Sequence, residues 1–376
     1  MKTQLNCLSA SIFAGLAMFA SGPRASAAAD SNPGYVELNL VSDVTNAAVH
    51  TDARLLNPWG IVIGRNTLWI NDNHSGLDTT YSAAGAALKS VIFVPAPGGG
   101  PGAPTGIVFN DTAAFVLTSG AKSLPATFLM ATEDGTIAAW NEKLSGTNAM
   151  LVVDRSGSNA IYKGLAIGAD TNGAPRLYAA DFHNSRVDMF DGQFQYLGSF
   201  ADTNVPDSFA PFNVKRIRGK LFVTFAKQLL PDAEDDEAGP GNGYVDIADG
   251  DGTILRRFAS QGALNSPWGM VVAPQHFGVF SRALLVGNFG DGRINAYDLL
   301  TGQWLGTMRD PLGNDIILEG LWGLTFEKDE VAGKECEFNA QRLYFTAGPG
   351  DEADGLVGVI RPVAPVRTPS PGGGGW

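Results

Sequence analysis

A short segment that recurs six times constrains this chain more than any other feature. Pro or an aromatic residue, then Gly, then apolar residues appear as Asn57-Pro58-Trp59-Gly60-Ile61-Val62, Pro104-Thr105-Gly106-Ile107-Val108, Tyr162-Lys163-Gly164-Leu165-Ala166, Pro267-Trp268-Gly269-Met270-Val271 and Leu321-Trp322-Gly323-Leu324. A degenerate copy, Pro211-Phe212-Asn213-Val214, carries Asn in place of Gly. The anchors at 60, 106, 164, 213, 269 and 323 are separated by 46, 58, 49, 56 and 54 residues. A period near fifty residues falls in the range of β-propeller blades, in which each unit buries its apolar face only against its neighbours.

Each repeat continues with the same grammar. A second apolar run ends in polar residues, as in Leu68-Trp69-Ile70-Asn71-Asp72 and Leu177-Tyr178-Ala179-Ala180-Asp181. A third alternating run follows a Gly or small polar residue, as in Gly135-Thr136-Ile137-Ala138-Ala139-Trp140, and a Gly-bearing turn such as Asp249-Gly250-Asp251-Gly252 leads to a fourth. The expected fold is all-β, a six-bladed propeller of four-stranded antiparallel blades. The sixth repeat runs out of chain after Leu356–Ile360, whereas Tyr35–Val41 alternates ahead of the first anchor. That N-terminal strand is therefore expected to complete the last blade and close the ring, which removes exposed edges. The propeller spans 35–362, preceded by a linker at 28–34 and followed by a Pro- and Gly-rich tail at 363–376.

Residues 1–27 read as a cleavable signal peptide: Lys2, an apolar stretch from Leu8 to Ala20, and Ala25-Ser26-Ala27 as the cleavage site. The expectation is a secreted or periplasmic protein. The apolar stretch is too short to span a bilayer, and no other run approaches that length, so no membrane span is expected. Cys7 lies in the signal, which leaves Cys336 without an intramolecular disulfide partner. The fold must then be held by packing alone. With 38 Asp and Glu against 26 Lys and Arg, the net charge of −12 argues against nucleic acid as a partner, because phosphate neutralisation needs clustered cations. A monomer is expected.

The Pro-x-Gly-apolar anchor and its spacing resemble NHL-type six-bladed propellers and, more distantly, the gluconolactonase, paraoxonase and strictosidine-synthase propellers. The Asn-Pro-Trp-Gly, Ser-Pro-Trp-Gly and Leu-Trp-Gly segments are similar to those of a family of exported, uncharacterised bacterial propellers. The resemblance is to a fold; propellers host binding modules, hydrolases, lyases and oxidoreductases alike.

In a four-stranded blade the start of the first strand and the loop between the second and third strands share one face of the ring. Those positions nominate Asn57, Trp59, Asp72, Asn73, Glu133, Asp134, Asp181, Asn184, Lys227, Asn288 and Asp291 as ligand-binding residues. His74 and His183 each follow an Asp by two positions, so a carboxylate could orient either imidazole as a general base; hydrogen-bonded loop histidines are the plainer alternative. Hard oxygen donors around a channel favour Ca²⁺. The lactonase-type propellers hold a divalent metal with Glu, Asn and Asp, and the resemblance implies Glu319, Asn213, Asn57 and Asp181 as the corresponding residues by type. Strand-end capping is the alternative use of such residues. Trp59, Trp268 and Trp322 share one repeat position and fit either an aromatic collar or packing between blades. The loop at 231–237 holds five acids in its last six residues and reads as a lid, a Ca²⁺ site or a solubilising insertion. Asp249-Gly250-Asp251-Gly252 lacks the downstream Glu of a calcium loop and reads as a turn.

No G-x-S-x-G elbow, H-E-x-x-H helix, P-loop or haem-attachment motif occurs. Two functions follow. The first is an exported propeller that binds a small molecule, glycan or protein through an acidic channel face. The second is a Ca²⁺-dependent hydrolase of lactonase or esterase type.

Overall fold

The computed structural model describes residues 33–326 and 341–363. Six antiparallel sheets carry the six repeats in chain order around a central channel. Blade 1 comprises Pro58–Gly64, Thr67–Asp72, Leu77–Tyr81 and Ala87–Phe93, and blade 2 Pro104–Phe109, Phe128–Thr132, Thr136–Trp140 and Met150–Asp154. Blade 3 runs through Tyr162–Ala169, Pro175–Asp181, Arg186–Asp191 and Tyr196–Phe200, and blade 4 through Phe209–Ile217, Lys220–Lys227, Gly243–Ala248 and Ile254–Ser260. Blade 5 holds Pro267–Val272, Leu284–Asn288, Ile294–Tyr297 and Trp304–Thr307. Blade 6 draws Leu321–Thr325, Leu343–Ala347 and Leu356–Pro362 from the end of the chain and Tyr35–Ser42 from its beginning.

The ring therefore closes as the sequence predicts, with Tyr35 paired to Pro362 and Ser42 to Leu356. A bulge between Asn39 and Val41 breaks the alternation and lets Leu40 and Val41 both turn inward. Two additions escape the repeat pattern. His50–Thr51 adds a short parallel strand outside Tyr35–Ser42. A hairpin of Val116–Ser119 and Lys122–Pro125 is inserted between the first two strands of blade 2, which accounts for the longest anchor spacing.

The anchor glycines have a steric cause. Inner strands of successive blades approach so closely that a Cβ on Gly106 would lie 2.5 Å from the Leu165 backbone nitrogen, and one on Gly323 would lie 2.6 Å from the Trp59 carbonyl oxygen. Only glycine allows that approach. Asn213 fills the sixth place by bonding instead of shrinking: its amide donates to the Trp268 carbonyl at 2.8 Å, and its Oδ1 accepts from the Val214 amide. The core lies between blades, in apolar clusters such as Trp69, Ile107, Phe128 and Met130 between blades 1 and 2. The Asp249–Gly252 segment is a turn, as expected, with Asp249 Oδ1 accepting from the amides of Asp251 and Thr253. No helix among the described residues is long and apolar enough to cross a membrane. Cys336, the signal-peptide assignment, most of the linker and the tail lie outside the described residues.

Candidate functional site

One residue before each anchor, the six inner strands present Trp59, Thr105, Lys163, Phe212, Trp268 and Trp322 to the mouth of the channel. The aromatic members close on one another. Trp59 stacks on Trp322 with centroids 3.5 Å apart, Trp268 meets Trp322 edge-on at 5.6 Å, and Phe289 stacks on the other side of Trp322 at 4.0 Å. All three tryptophans are buried. They form a plug between blades instead of an open collar, because their apolar area is worth more against itself than against water, on the order of 5 kcal/mol per Trp at ~25 cal/mol per Å². Between the anchor glycines the channel holds a cavity of only about 30 Å³, the space of a water molecule.

Above the plug lies a polar layer centred on Lys163. This residue, missed at the sequence level, is only 2% exposed. Its Nζ donates to Glu133 Oε1 at 2.5 Å and to Asp235 Oδ1 at 3.3 Å, and it sits 5.2 Å from the Trp59 ring. Burial opposes its charge, but the Glu133 and Asp235 carboxylates outweigh it and hold the ammonium above its ordinary pKa. Glu133 accepts a second hydrogen bond from Asn73 at 2.8 Å. Asn57 donates to Glu352 at 2.9 Å, faces His74 Nε2 at 3.3 Å, and accepts from Trp322 Nε1. Burial, with Glu133 nearby, pushes the Glu352 carboxyl up. The structure thus joins Asn57, Asn73, His74 and Glu133 into one network and adds Lys163, Asp235 and Glu352. Lys163 is legible in hindsight as the one cation at a repeat position otherwise aromatic or Thr.

Beside this layer, between blades 2 and 3 and the acidic loop, opens a cleft of about 570 Å³ lined by Glu133, Asp134, Asn159, His183, Glu234 and Asp235. Asp134 is fixed by accepting from the Ala103 amide at 2.8 Å. The His183 Nδ1 is buried and has no hydrogen-bond partner. Asp235 reaches Lys163 because the acidic loop is a folded extension of blade 4. Within it Leu229 donates to Asp235, Ala233 to Leu229 and Glu237 to Lys227 through the backbone. Lys227 Nζ also pairs with Glu237 at 2.8 Å. The next residue, Asp236, is pushed up to about 6 by burial, against the pull of Ser266 and Lys163.

The other expected residues sit elsewhere. Asp72, Asp181 and Asn288 end their blades' second strands with side chains turned into the blade, fully buried. Asp72 accepts from Thr79 at 2.7 Å, and Asp181 from the Ile161 amide and Asn184. Asn288 donates to the Ala263 carbonyl and to Asp291. Asp181 also lies 3.4 Å from Arg186, while Asn184 reaches the Ser158 carbonyl. Asp291 accepts from the Arg293 amide. Burial pushes both Asp72 and Asp181 up. Neither Asp-x-His companion pair forms, because each Asp is spent on strand-end groups while His74 meets Asn57 and His183 points into the cleft. No hydrogen bond joins Asn57, Asp181, Asn213 and Glu319 either; Glu319 accepts from the Gly350 amide, between the loops that flank the first two strands of blade 6. Among the described residues no three Asp, Glu, His or Cys side chains converge to hold a metal.

No family model matches the chain. An uncharacterized protein of Acanthamoeba polyphaga mimivirus is 37% identical over 329 residues, 85% of this chain and 78% of its own length. A second from the same virus is 34% identical over 332 residues, 85% of this chain and 84% of its own. Among solved structures, virginiamycin B lyase from Staphylococcus aureus matches with TM-score 0.51 at 13% identity, covering 88% of this chain and 99% of that one. A glucose dehydrogenase gives the same TM-score and coverage at 10% identity. At such identities the likeness is of fold. The relatives matched in sequence are viral, which leaves the bacterial, exported family of the sequence reading without support. By its identity and coverage, the chain belongs to the family of these mimivirus proteins.

Proposed function

We propose that the chain binds a small polar molecule bearing a positive charge, an amine or amino sugar, in the cleft beside the channel mouth. The observation that carries this is the imbalance of the cleft wall. Four carboxylates, Glu133, Asp134, Glu234 and Asp235, face it together with Asn159 and His183, and the adjacent Lys163 is already engaged by two of the four. A concave surface of one sign concentrates ligands of the other. The pocket has the size of small-ligand sites. Residues 1–27 extend the proposal to a protein that meets its ligand outside the cytoplasm.

Isothermal titration with a panel of spermidine, glucosamine and neutral glucose tests it. The amines are expected to bind and neutral glucose to bind more weakly. Asp134→Asn is expected to weaken amine binding about tenfold or more, the loss of one charge-assisted hydrogen bond. Binding that is indifferent to Asp134→Asn and to salt overturns the reading. Ca²⁺ and a lactone, run in parallel, separate amine binding from the metal-dependent hydrolase that the sequence left open.

A further inference from the structure

The six blades share a pair of directly opposed residues near the top of the second and third strands. In five blades the pair is small or weakly polar against apolar: Ala131 with Ile137, Ala180 with Val187, Thr224 with Val245, Gly287 with Ile294, and Thr346 with Val357. In blade 1 it is Asn71 with Asp78. Both are 0% exposed. Opposed residues of an antiparallel pair project from the same face with Cβ atoms roughly 5 Å apart. That face looks onto blade 2, since the Asn71 amide donates to the Thr105 and Gly106 carbonyls at 3.1 and 3.3 Å. Next to Asp78 on its other side stands Ile92, from the apolar cluster between the two blades.

Three oxygen atoms there have no hydrogen-bond partner: both carboxylate oxygens of Asp78 and Oδ1 of Asn71. The Ile70 amide approaches Asp78 without completing a bond. A carboxylate in such surroundings costs several kcal/mol unless something neutralises it. No basic side chain among the described residues pairs with it; Arg54, on the opposite face of the blade, is held by Asp52 at 2.7 Å. A proton would bridge two of the three oxygens and leave the third bare. A cation takes all three.

We propose that Asn71 and Asp78 form a buried binding site for a hard, oxygen-seeking metal cation between blades 1 and 2. A carboxylate and an amide oxygen are the hard donor types that Na⁺ and Ca²⁺ take, and they offer nothing to thiophilic metals. The site pins blade 1 to blade 2 directly under the Asn73–Glu133 contact, so its occupancy stiffens the floor of the channel mouth.

The experiment uses the whole chain stripped with a chelator and dialysed into a bulky organic-cation buffer, with thermal unfolding followed as Na⁺ or Ca²⁺ is added. One of the two is expected to raise the melting temperature saturably, with one cation bound per chain by titration calorimetry. Asp78→Val, the residue of blades 3, 4 and 6, is expected to abolish that rise while melting no lower than the stripped wild type. Should that variant fail to fold, Asn71→Ala is expected to weaken cation binding at least tenfold. Asp134→Asn in the cleft is expected to leave the response intact, which separates this site from the ligand cleft. A stripped protein that no cation stabilises, or a cation response that survives Asp78→Val, overturns the proposal and leaves a proton shared by Asp78 and Asn71.

Discussion

A single methyl group is enough to test why glycine recurs at the channel wall. Gly106→Ala puts a Cβ against rigid backbone of blade 3 and is expected to cost about 1–3 kcal/mol in urea unfolding, the usual cost of overpacking. Gly157→Ala, with nothing within 4 Å, is expected to stay within about 0.5 kcal/mol of wild type. Equal stabilities for the two variants would remove the steric account. The glycines were legible as a repeat, but their cause was not, because the obstructing atoms belong to the next blade. Asp72 and Asp181 show the same gap. Their position at the end of a strand was readable, yet whether a side chain there turns to the channel or into the blade depends on the amide or hydroxyl that waits for it, Thr79 in one case and Ile161 in the other. Lys163 was not legible because the other repeats fill its position with Trp, Thr or Phe, and its carboxylate partners come from blade 2 and the acidic loop.

At the level of elements, the acidic loop departs furthest from what its composition suggests. Five acids in six residues read as a solvated run, and Asp232, Glu234 and Asp235 are indeed exposed. Asp236 is not, because the antiparallel bridge between Gln228 and Asp236 turns it inward. The groups that face it are Ser266, Lys163 and Asp235. Its folded pKa of about 6 lies above the ordinary 3.8, so the folded chain holds this proton more tightly than the unfolded one. The resulting stability is fully present below pH 3.8 and is lost as pH rises through 6. Asp246, raised to about 7 by burial and by the neighbouring Asp202 carboxylate, acts in the same direction. Stability measured by denaturant between pH 4 and 7 is therefore expected to fall with rising pH. Asp236→Asn should remove up to about 3 kcal/mol of that fall. A wild-type profile that is flat or rises over this window would refute the inward placement of Asp236.

The whole molecule was the most legible level. Anchor spacing, strand grammar and the missing twelfth-hour strand of repeat six each pointed to a closed ring of six blades, because a propeller repeats one local solution and the sequence repeats with it. The tryptophans of the plug were legible for the same reason, since three repeats carry them at one position, though whether they form a collar or pack together was not. Lys163 at the cleft and the blade 1 to blade 2 site were hidden for the converse reason: each rests on residues in which the repeats differ. Closure can be tested directly. A chain beginning at residue 52 lacks the strand Tyr35–Ser42 and its short neighbour His50–Thr51, and it is expected to lose its cooperative melt. A peptide of residues 33–51 added in trans should restore it. An unchanged melting temperature after truncation would show that the ring holds without its latch.

That latch also fixes how the molecule responds to force. Because Tyr35 lies opposite Pro362, the two ends of the propeller leave the blade 6 ladder at the same place. Tension drawn through them peels the ladder open one hydrogen bond at a time, toward Ser42 and Leu356, instead of shearing all its bonds together. Pulled by its ends, a ring otherwise built to resist fraying gives way at a zipper.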